Sequence, residues 1–148
     1  MMNGVTYEEV KPHIQNSSDA ELFVSHFSTK WKDVTDEDEY VDPETFLDRQ
    51  AGDCDDFARF IYEMLGDKGY EVTMYRVSYW DDREDRNYNH AVVYYKKWPD
   101  WGIFSNYSRY PHWNIYDYVR ETRYEEWEKE TAYNLWEARE SNEKSGEK

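Results

Sequence analysis

The sequence predicts a single α+β domain. Two segments with helical periodicity come first, stretches of alternating apolar and polar residues follow, and a segment rich in Glu and Arg comes last. Helices and strands that are grouped in this way, rather than strictly alternating, are typical of α+β proteins. The 148 residues are enough for one buried core, and aromatic residues make up 19% of them, which is too many for a disordered chain.

The N-terminal half is predicted to be helical. Ser18 and Glu21 have the spacing of a capping box, and apolar residues recur on one face behind them, which predicts a helix over residues 19–31. An acidic loop follows, and Pro43 is suited to the first turn of a short helix. Both helices are expected to pack against the core through their apolar faces.

A second long helix is predicted to begin after Asp53, whose side chain is suited to capping. Its apolar stripe consists of Cys54, Phe57, Ala58, Ile61 and Leu65. This pattern places the only cysteine of the chain in the first turn of the helix.

The middle of the chain is predicted to form a small antiparallel sheet. Residues 71–80, 91–97 and 103–106 are rich in strand-forming residues and are separated by turn signals. From about residue 113 the composition becomes helical again, which predicts a C-terminal helical segment over residues 113–140 and a frayed tail over 141–148.

The chain is expected to form one domain over residues 1–148, with its core over about residues 17–110. No internal repeat and no Pro-rich or Gly/Ser-rich linker divides it. The single cysteine excludes an intramolecular disulfide, and residues 1–5 lack the features of a signal peptide. No apolar run approaches the roughly 18 residues that span a bilayer. A cytoplasmic protein without membrane attachment is expected, whereas the oligomeric state is not indicated.

The net charge of −15 opposes direct binding to nucleic acid or to anionic lipid. The charge is concentrated, because residues 33–56 contain 11 acidic residues and one basic residue. Such a run forms a solvated loop in most proteins, or it borders a site that receives cationic groups.

Two short motifs carry the candidate chemistry. A thiol lies in Gly-Asp-Cys-Asp-Asp, residues 52–56, and an imidazole lies 36 residues later in Asn-His-Ala-Val, residues 89–92. A helix N-terminus and a nearby imidazolium both favour a thiolate, which is the nucleophilic form of cysteine. The neighbouring aspartates oppose it unless their side chains point away. Without a partner pattern, Cys54 would be read as a small core residue and His90 as a structural one.

The two motifs, with their order along the chain, resemble the transglutaminase-like branch of the papain-fold cysteine peptidases. The resemblance covers residues 50–106 and implies a papain-like or transglutaminase-like core, in which the helix of the nucleophile packs on a small antiparallel sheet flanked by N- and C-terminal helices. It implies Cys54 as the nucleophile and His90 as the general base and acid. Papain-like enzymes use a Gln upstream of the cysteine as an oxyanion donor, which makes Gln50 a candidate for that role.

The resemblance also implies an Asp or Asn that orients the imidazole. Asn106, 16 residues after His90, is the favoured candidate, because a bulge at Gly102 would bring it to the same face of the sheet. Asp100 is the alternative, although local hydrogen bonding in a Pro-Asp turn explains an aspartate there. Ser108 is a weaker candidate on the same face.

Metal and cofactor chemistry are not expected. The sequence has no paired-cysteine or His-Glu-x-x-His motif, and no glycine-rich phosphate-binding pattern.

The sequence therefore predicts thiol-dependent acyl transfer on amide bonds through a Cys54 thioester. The enzyme would be a cysteine peptidase or amidase, or a transglutaminase-type amine transferase, and the sequence does not decide between them. The expected substrate is a protein or peptide, and the acidic segment favours a basic or amine-bearing one. The alternative is a noncatalytic acidic binding protein with the same fold, including one whose acidic, Tyr-rich surface imitates DNA.

Overall fold

The computed structural model describes residues 6–27, 43–49 and 54–130, and it confirms the α+β class. The elements in chain order are α1 (Tyr7–Val10), a 3-10 turn (Lys11–His13), α2 (Ser17–Phe27), α3 (Pro43–Arg49), α4 (Cys54–Asp67), β1 (Glu71–Asp81), β2 (Arg86–Lys97), β3 (Asp100–Ser105), β4 (Ser108–Pro111), α5 (Ile115–Glu121) and β5 (Glu126–Glu130). Helices α3 and α4 begin where the sequence predicted them to begin.

The strands form one antiparallel sheet in the order β4-β3-β2-β1-β5. Strands β1 and β2 form a long hairpin whose register runs without interruption from Glu71↔Lys96 to Asp81↔Arg86. Strand β2 therefore begins five residues before the predicted start at residue 91, and His90 lies within it, opposite Val77.

The two faces of the sheet carry separate buried clusters. The helix-side core lies between α1–α4 and one face of the sheet. It takes from the strands Met74, Ala91, Val93, Tyr95 and Phe104. The α5-side core lies on the other face and consists of Tyr75, Val77, Val92, Ile103, Ile115 and Tyr118. Because side chains alternate along a strand, His90 belongs to the same face as Val77 and Val92.

Helix α4 is the centre of the helix-side core. All seven residues after its first residue, from 55 to 61, are buried, and Phe57 and Phe60 both pack against the ring of Phe46 at centroid distances of 5.1 and 5.3 Å. Burial around the whole circumference fixes the helix firmly, and with it the position of Cys54 at its N-terminus.

The predicted start of α2 was wrong by two residues. The helix begins at Ser17, and the side chain of Asn16 accepts a hydrogen bond from the Asp19 amide at 2.8 Å. Asn16 is therefore the N-cap in place of Ser18, and Ser17 turns inward. The predicted continuation of this helix over residues 28–31 lies outside the described residues.

The predicted C-terminal helix over residues 113–140 was wrong for part of the described stretch, residues 113–130. Seven of these residues form α5, and five form β5, which pairs with the free edge of β1. Four of the five residues of β5 are charged, and the fifth, Trp127, packs edge-on against Tyr75 at 5.4 Å. Pairing with an available strand overrides the helical preference of Glu and Lys. The rest of this segment and the predicted frayed tail lie outside the described residues.

The predicted bulge at Gly102 does not exist. The β2–β3 register is continuous from Lys97↔Asp100 to Val93↔Phe104, so the connection has only two residues, Trp98 and Pro99, joined by a cis peptide bond. A Cβ on Gly102 would overlap the carbonyl oxygen of Tyr110 and lie 2.7 Å from the Tyr95 hydroxyl. Glycine is needed because two strands approach it closely.

Candidate active site

Cys54 is the first residue of α4 and is partly exposed. Its side chain packs against the helix-side core, and its Sγ lies 3.7 Å from Oδ1 of Asp55. Backbone N–H groups at the start of a helix of 14 residues carry partial positive charge, which favours a thiolate and an oxyanion at this position.

Arg76 on β1 neutralises the aspartate beside the thiol. Its Nη1 lies 3.1 Å from Oδ1 of Asp55 and donates at 3.1 Å to Oδ1 of Asn89, while its Nε lies 3.5 Å from Oε1 of Glu130. The sequence led us to expect that acidic neighbours would disfavour a thiolate. Asp55 is buried, and its ion pair with Arg76 offsets the negative charge that would otherwise disfavour a thiolate at Cys54.

A polar cleft opens beside this end of α4. It is lined by Asp55, Arg76, Ser78, Asn87, Asn89, Glu128 and Glu130. Three carboxylates face one guanidinium there, and burial raises the pKa of Glu130 in spite of Arg76. The cleft is therefore acidic on balance.

His90 is held on the α5 side of the sheet by one hydrogen bond and one ring contact. Its Nε2 lies 2.7 Å from Oγ of Ser105, and its ring stacks on Tyr124 at a centroid distance of 5.8 Å and an angle of 13°. Burial, and secondly the positive charge of Arg76, lower the pKa of His90 from 6.5 to about 4. The imidazole is therefore neutral at pH 7.

Ser105 is the residue that the sequence analysis missed. It ends β3, pairs with Ser108 on β4, and its Oγ lies 3.2 Å from the hydroxyl of Tyr118 on α5. The β2–β3 pairing stops at Val93↔Phe104, one residue before it. The predicted strands over residues 91–97 and 103–106 leave a five-residue turn between them, whereas the structure has a two-residue turn. Counting from a two-residue turn places Ser105 on the His90 face.

Asn106, the predicted orienting residue, does not meet the imidazole. It adopts φ of 55° in the turn between β3 and β4, and its Oδ1 is buried without a hydrogen-bond partner among the described residues. The hydrogen bond to Nε2 comes from the preceding residue, because the pleat directs Ser105 toward His90. Ser105, and not Asn106, is therefore the residue that lies beside Nε2 of His90.

Asp100, the alternative candidate, is part of a structural network at the other end of β3. It accepts hydrogen bonds from Oγ and the amide of Ser17, at 2.6 and 3.2 Å, and from the hydroxyl of Tyr70. Burial opposes its ionisation, but these hydrogen bonds outweigh it and lower the pKa of Asp100. Five residues of extended chain, about 17 Å, separate it from Ser105. It joins α2 to the sheet and does not contact His90.

Gln50 lies outside the described residues, as do Asp53 and most of the acidic stretch over residues 33–56. Ser108 pairs with Ser105 in the sheet and has no hydrogen bond to His90 in the described part of the chain.

Cys54 packs on the helix side of the sheet, whereas His90 lies on its α5 side. The expected hydrogen bond between them is not present, since the bonds described for Cys54 Sγ and His90 Nε2 lead to Asp55 and to Ser105. The charge of Cys54 nevertheless reaches the aromatic residues around the imidazole. Burial raises the pKa of Tyr118 to about 12 against the hydrogen bond with Ser105, which lowers it, and Cys54 contributes less than Tyr124 and Tyr110. Burial, followed by the charge of Cys54, also raises the pKa of Tyr124.

Comparison with protein-family models, with curated proteins and with solved structures gives no match. Over residues 6–27, 43–49 and 54–130, no group of three or more His, Cys, Asp or Glu side chains is arranged to hold a metal ion. None of the helices in these same ranges has both the length and the apolar character needed to cross a membrane.

Proposed function

We propose that the protein is a thiol-dependent acyl-transfer enzyme that acts on amide bonds, with Cys54 as the nucleophile and His90 as the general base and acid. The observation that carries the proposal is the hydrogen bond of 2.7 Å between His90 Nε2 and Ser105 Oγ. In this arrangement Ser105 orients the ring through Nε2, and Nδ1 is left to exchange a proton with the reacting groups. The two ring nitrogens of a catalytic-triad histidine have these two roles.

The position of the thiol supports the same reading. Cys54 stands at the start of a long buried helix and next to a polar cleft, and its charge contributes to the raised pKa of Tyr124, which stacks on His90. A helix N-terminus and access to solvent both favour a nucleophilic thiol. Contacts between a nucleophile and its base are often longer in the unbound enzyme than in the complex with substrate.

The proposed reaction proceeds in two halves. Cys54 Sγ attacks the amide carbonyl carbon while His90 takes the thiol proton, and the N–H groups at the start of α4 receive the oxyanion. The carbon–nitrogen bond then breaks, His90 gives its proton to the leaving amine, and a thioester remains. Water or a second amine attacks the thioester, His90 takes the proton of the attacking group, and the thiolate leaves and recovers that proton.

Because His90 has a lowered pKa, it acts as a neutral base that accepts the proton during attack. A preformed thiolate–imidazolium pair would require a raised pKa of His90. Ser105 is uncharged and stabilises an imidazolium less than an aspartate would, which agrees with a His90 that is neutral before attack.

The scaffold proposed for this chemistry is the transglutaminase-like core, with α4 as the helix of the nucleophile and β2 as the strand of the histidine. Its substrate is a protein or peptide, and the acidic cleft beside α4 favours basic or amine-bearing groups. A lone reactive thiol also suits a reducing compartment such as the cytoplasm.

Turnover of a panel of chromogenic peptide amides, with and without an added primary amine, tests the proposal. We expect Cys54→Ala to abolish turnover, His90→Ala to reduce it by about three orders of magnitude, and Ser105→Ala by about one to two. The matched control is His112→Ala, which removes an exposed histidine from the turn after β4 and should leave turnover unchanged. Equal turnover in Cys54→Ala and the unmodified protein would refute the proposal.

A further inference from the structure

We propose that Arg76 is a positioning residue that acts through Asp55 to stabilise the thiolate form of Cys54. Asn89 holds the guanidinium for this role. Three contacts carry the inference: Nη1 of Arg76 donates to Oδ1 of Asn89 at 3.1 Å, and the same nitrogen lies 3.1 Å from Oδ1 of Asp55. That carboxylate oxygen lies 3.7 Å from Sγ of Cys54. The importance of these contacts for turnover rests on the proposed function, whereas their effect on the thiol does not.

The contacts join the two sequence motifs that carry the candidate chemistry. Asn89 and His90 are neighbours on β2, and side chains alternate along a strand. Asn89 therefore faces the helix side of the sheet, as Ala91 does, while His90 faces the α5 side. Arg76 lies on β1 between Asn89 and the start of α4, with only 19% of its side chain exposed. The residue before His90 thus has a role that the proposed mechanism does not use.

One oxygen of Asp55 meets both the thiol and the guanidinium. A thiol that donates to a carboxylate is held in its neutral form, and the carboxylate charge also repels a thiolate. Arg76 opposes both effects, because it draws the charge of Oδ1 toward itself and lies near the sulfur. Its Nη1 is at most 6.8 Å from Sγ, since the distances of 3.1 and 3.7 Å share Oδ1. A positive charge at such a range shifts the pKa of a partly buried thiol by about one unit.

Arg76 is the cation among the residues that line the cleft beside this end of α4. Arg59, further along the helix, pairs with Glu63 at 2.6 Å. The other charged and titratable groups described near Cys54 are acidic, or neutral at pH 7: Asp55 and Asp56 on α4, Glu128 and Glu130 across the cleft, His90, Tyr118 and Tyr124. A thiolate at Cys54 therefore depends on Arg76 and on the helix N-terminus.

The pKa of the thiol can be measured from the rate of alkylation by iodoacetamide between about pH 5 and 10, because the chain has one cysteine. Arg76→Gln should raise this pKa by about one unit. Arg76→Lys keeps the charge and should restore most of the unmodified value. The matched control is Arg86→Gln, which removes the same charge from the start of β2, where Arg86 lies over the ring of Tyr88. This control should leave the thiol pKa unchanged.

The two asparagines test the support of the guanidinium. Asn89→Ala should raise the thiol pKa by roughly half a unit, because Arg76 loses a hydrogen-bond acceptor. Asn87→Ala is its matched control, since it removes the same amide from the same face two residues earlier, and it should have no effect. Equal pKa values in the two variants would contradict the role of Asn89.

An unchanged thiol pKa in Arg76→Gln would overturn the inference. If this variant does not fold, because Asp55 remains as an unpaired buried charge, the comparison is made between Asp55→Asn and the double variant Asp55→Asn/Arg76→Gln. The thiol pKa should again be higher without Arg76, and equal values would overturn the inference in the same way.

Turnover measurements separate the two proposals. Neutral His90, with a pKa of about 4, is a weak base for a thiol of ordinary pKa, about 8.5, so a more acidic thiol eases the proton transfer during attack. Thiol pKa values that change as expected, without turnover in any protein, would refute the proposed function and keep the role of Arg76. Turnover that requires Cys54, with equal thiol pKa values in Arg76→Gln and the unmodified protein, would refute the role of Arg76 alone.

Discussion

Acid should destabilise the fold through His90. Its pKa is about 4 in the folded protein and 6.5 in an unfolded chain, so the unfolded state binds a proton first as the pH falls. The stability that depends on neutral His90 is therefore fully present above pH 6.5, is lost progressively below it, and is gone below about pH 4. The difference between these pKa values corresponds to about 3 kcal/mol of unfolding free energy.

Urea unfolding monitored by tryptophan fluorescence at pH 7, 6, 5 and 4 measures this loss. The control is His90→Gln, which retains every other titrating group, so that the difference between the two curves isolates the imidazole. We expect the unmodified protein to lose about 3 kcal/mol more than His90→Gln between pH 7 and 4. Parallel curves would show that the imidazole is not held neutral by burial and Arg76, and would refute the reasoning.

Three further predictions concern the surroundings of the site. Asp100→Asn should lower the unfolding free energy by about 1.5 to 3 kcal/mol, because it weakens the hydrogen bonds with Ser17. Turnover per folded molecule should stay unchanged, and a lower turnover per folded molecule would contradict this prediction. Gly102→Ala should cost about 2 kcal/mol or more in thermal unfolding, because its Cβ meets backbone, and an unchanged Tm would contradict the close approach. Glu128→Gln should reduce the preference for basic over acidic peptides about twofold at low salt, whereas Glu121→Gln on α5 should not.

Local patterns were sufficient to predict the starts of α3 and α4 and, less exactly, α2 and the first two strands, whereas α1 was not predicted. Pro43 and Cys54 begin α3 and α4 because the capping and periodicity signals lie within one turn of each start. The strand over Glu126–Glu130 escaped prediction, because one indole among four charged residues gives no strand signal, and its pairing with β1 is a long-range event.

The hydrogen-bond partner of His90 depends on the register between β2 and β3, which the sequence alone did not predict. An error of three residues in the length of the turn after β2 moved the expected position opposite His90 along the next strand and concealed Ser105. The lowered pKa of His90 was also out of reach, since Arg76 affects it from a neighbouring strand and burial comes from the assembled sheet.

The central claim is that Cys54 forms a thioester with the help of His90. The most direct measurement is peptide mapping by mass spectrometry after brief exposure to p-nitrophenyl acetate and an acid quench. The account predicts an acetyl group on the peptide that carries Cys54, and a much smaller amount of it in His90→Ala. An acetyl group found only on lysines, or equal labelling of Cys54 in both proteins, would contradict the account.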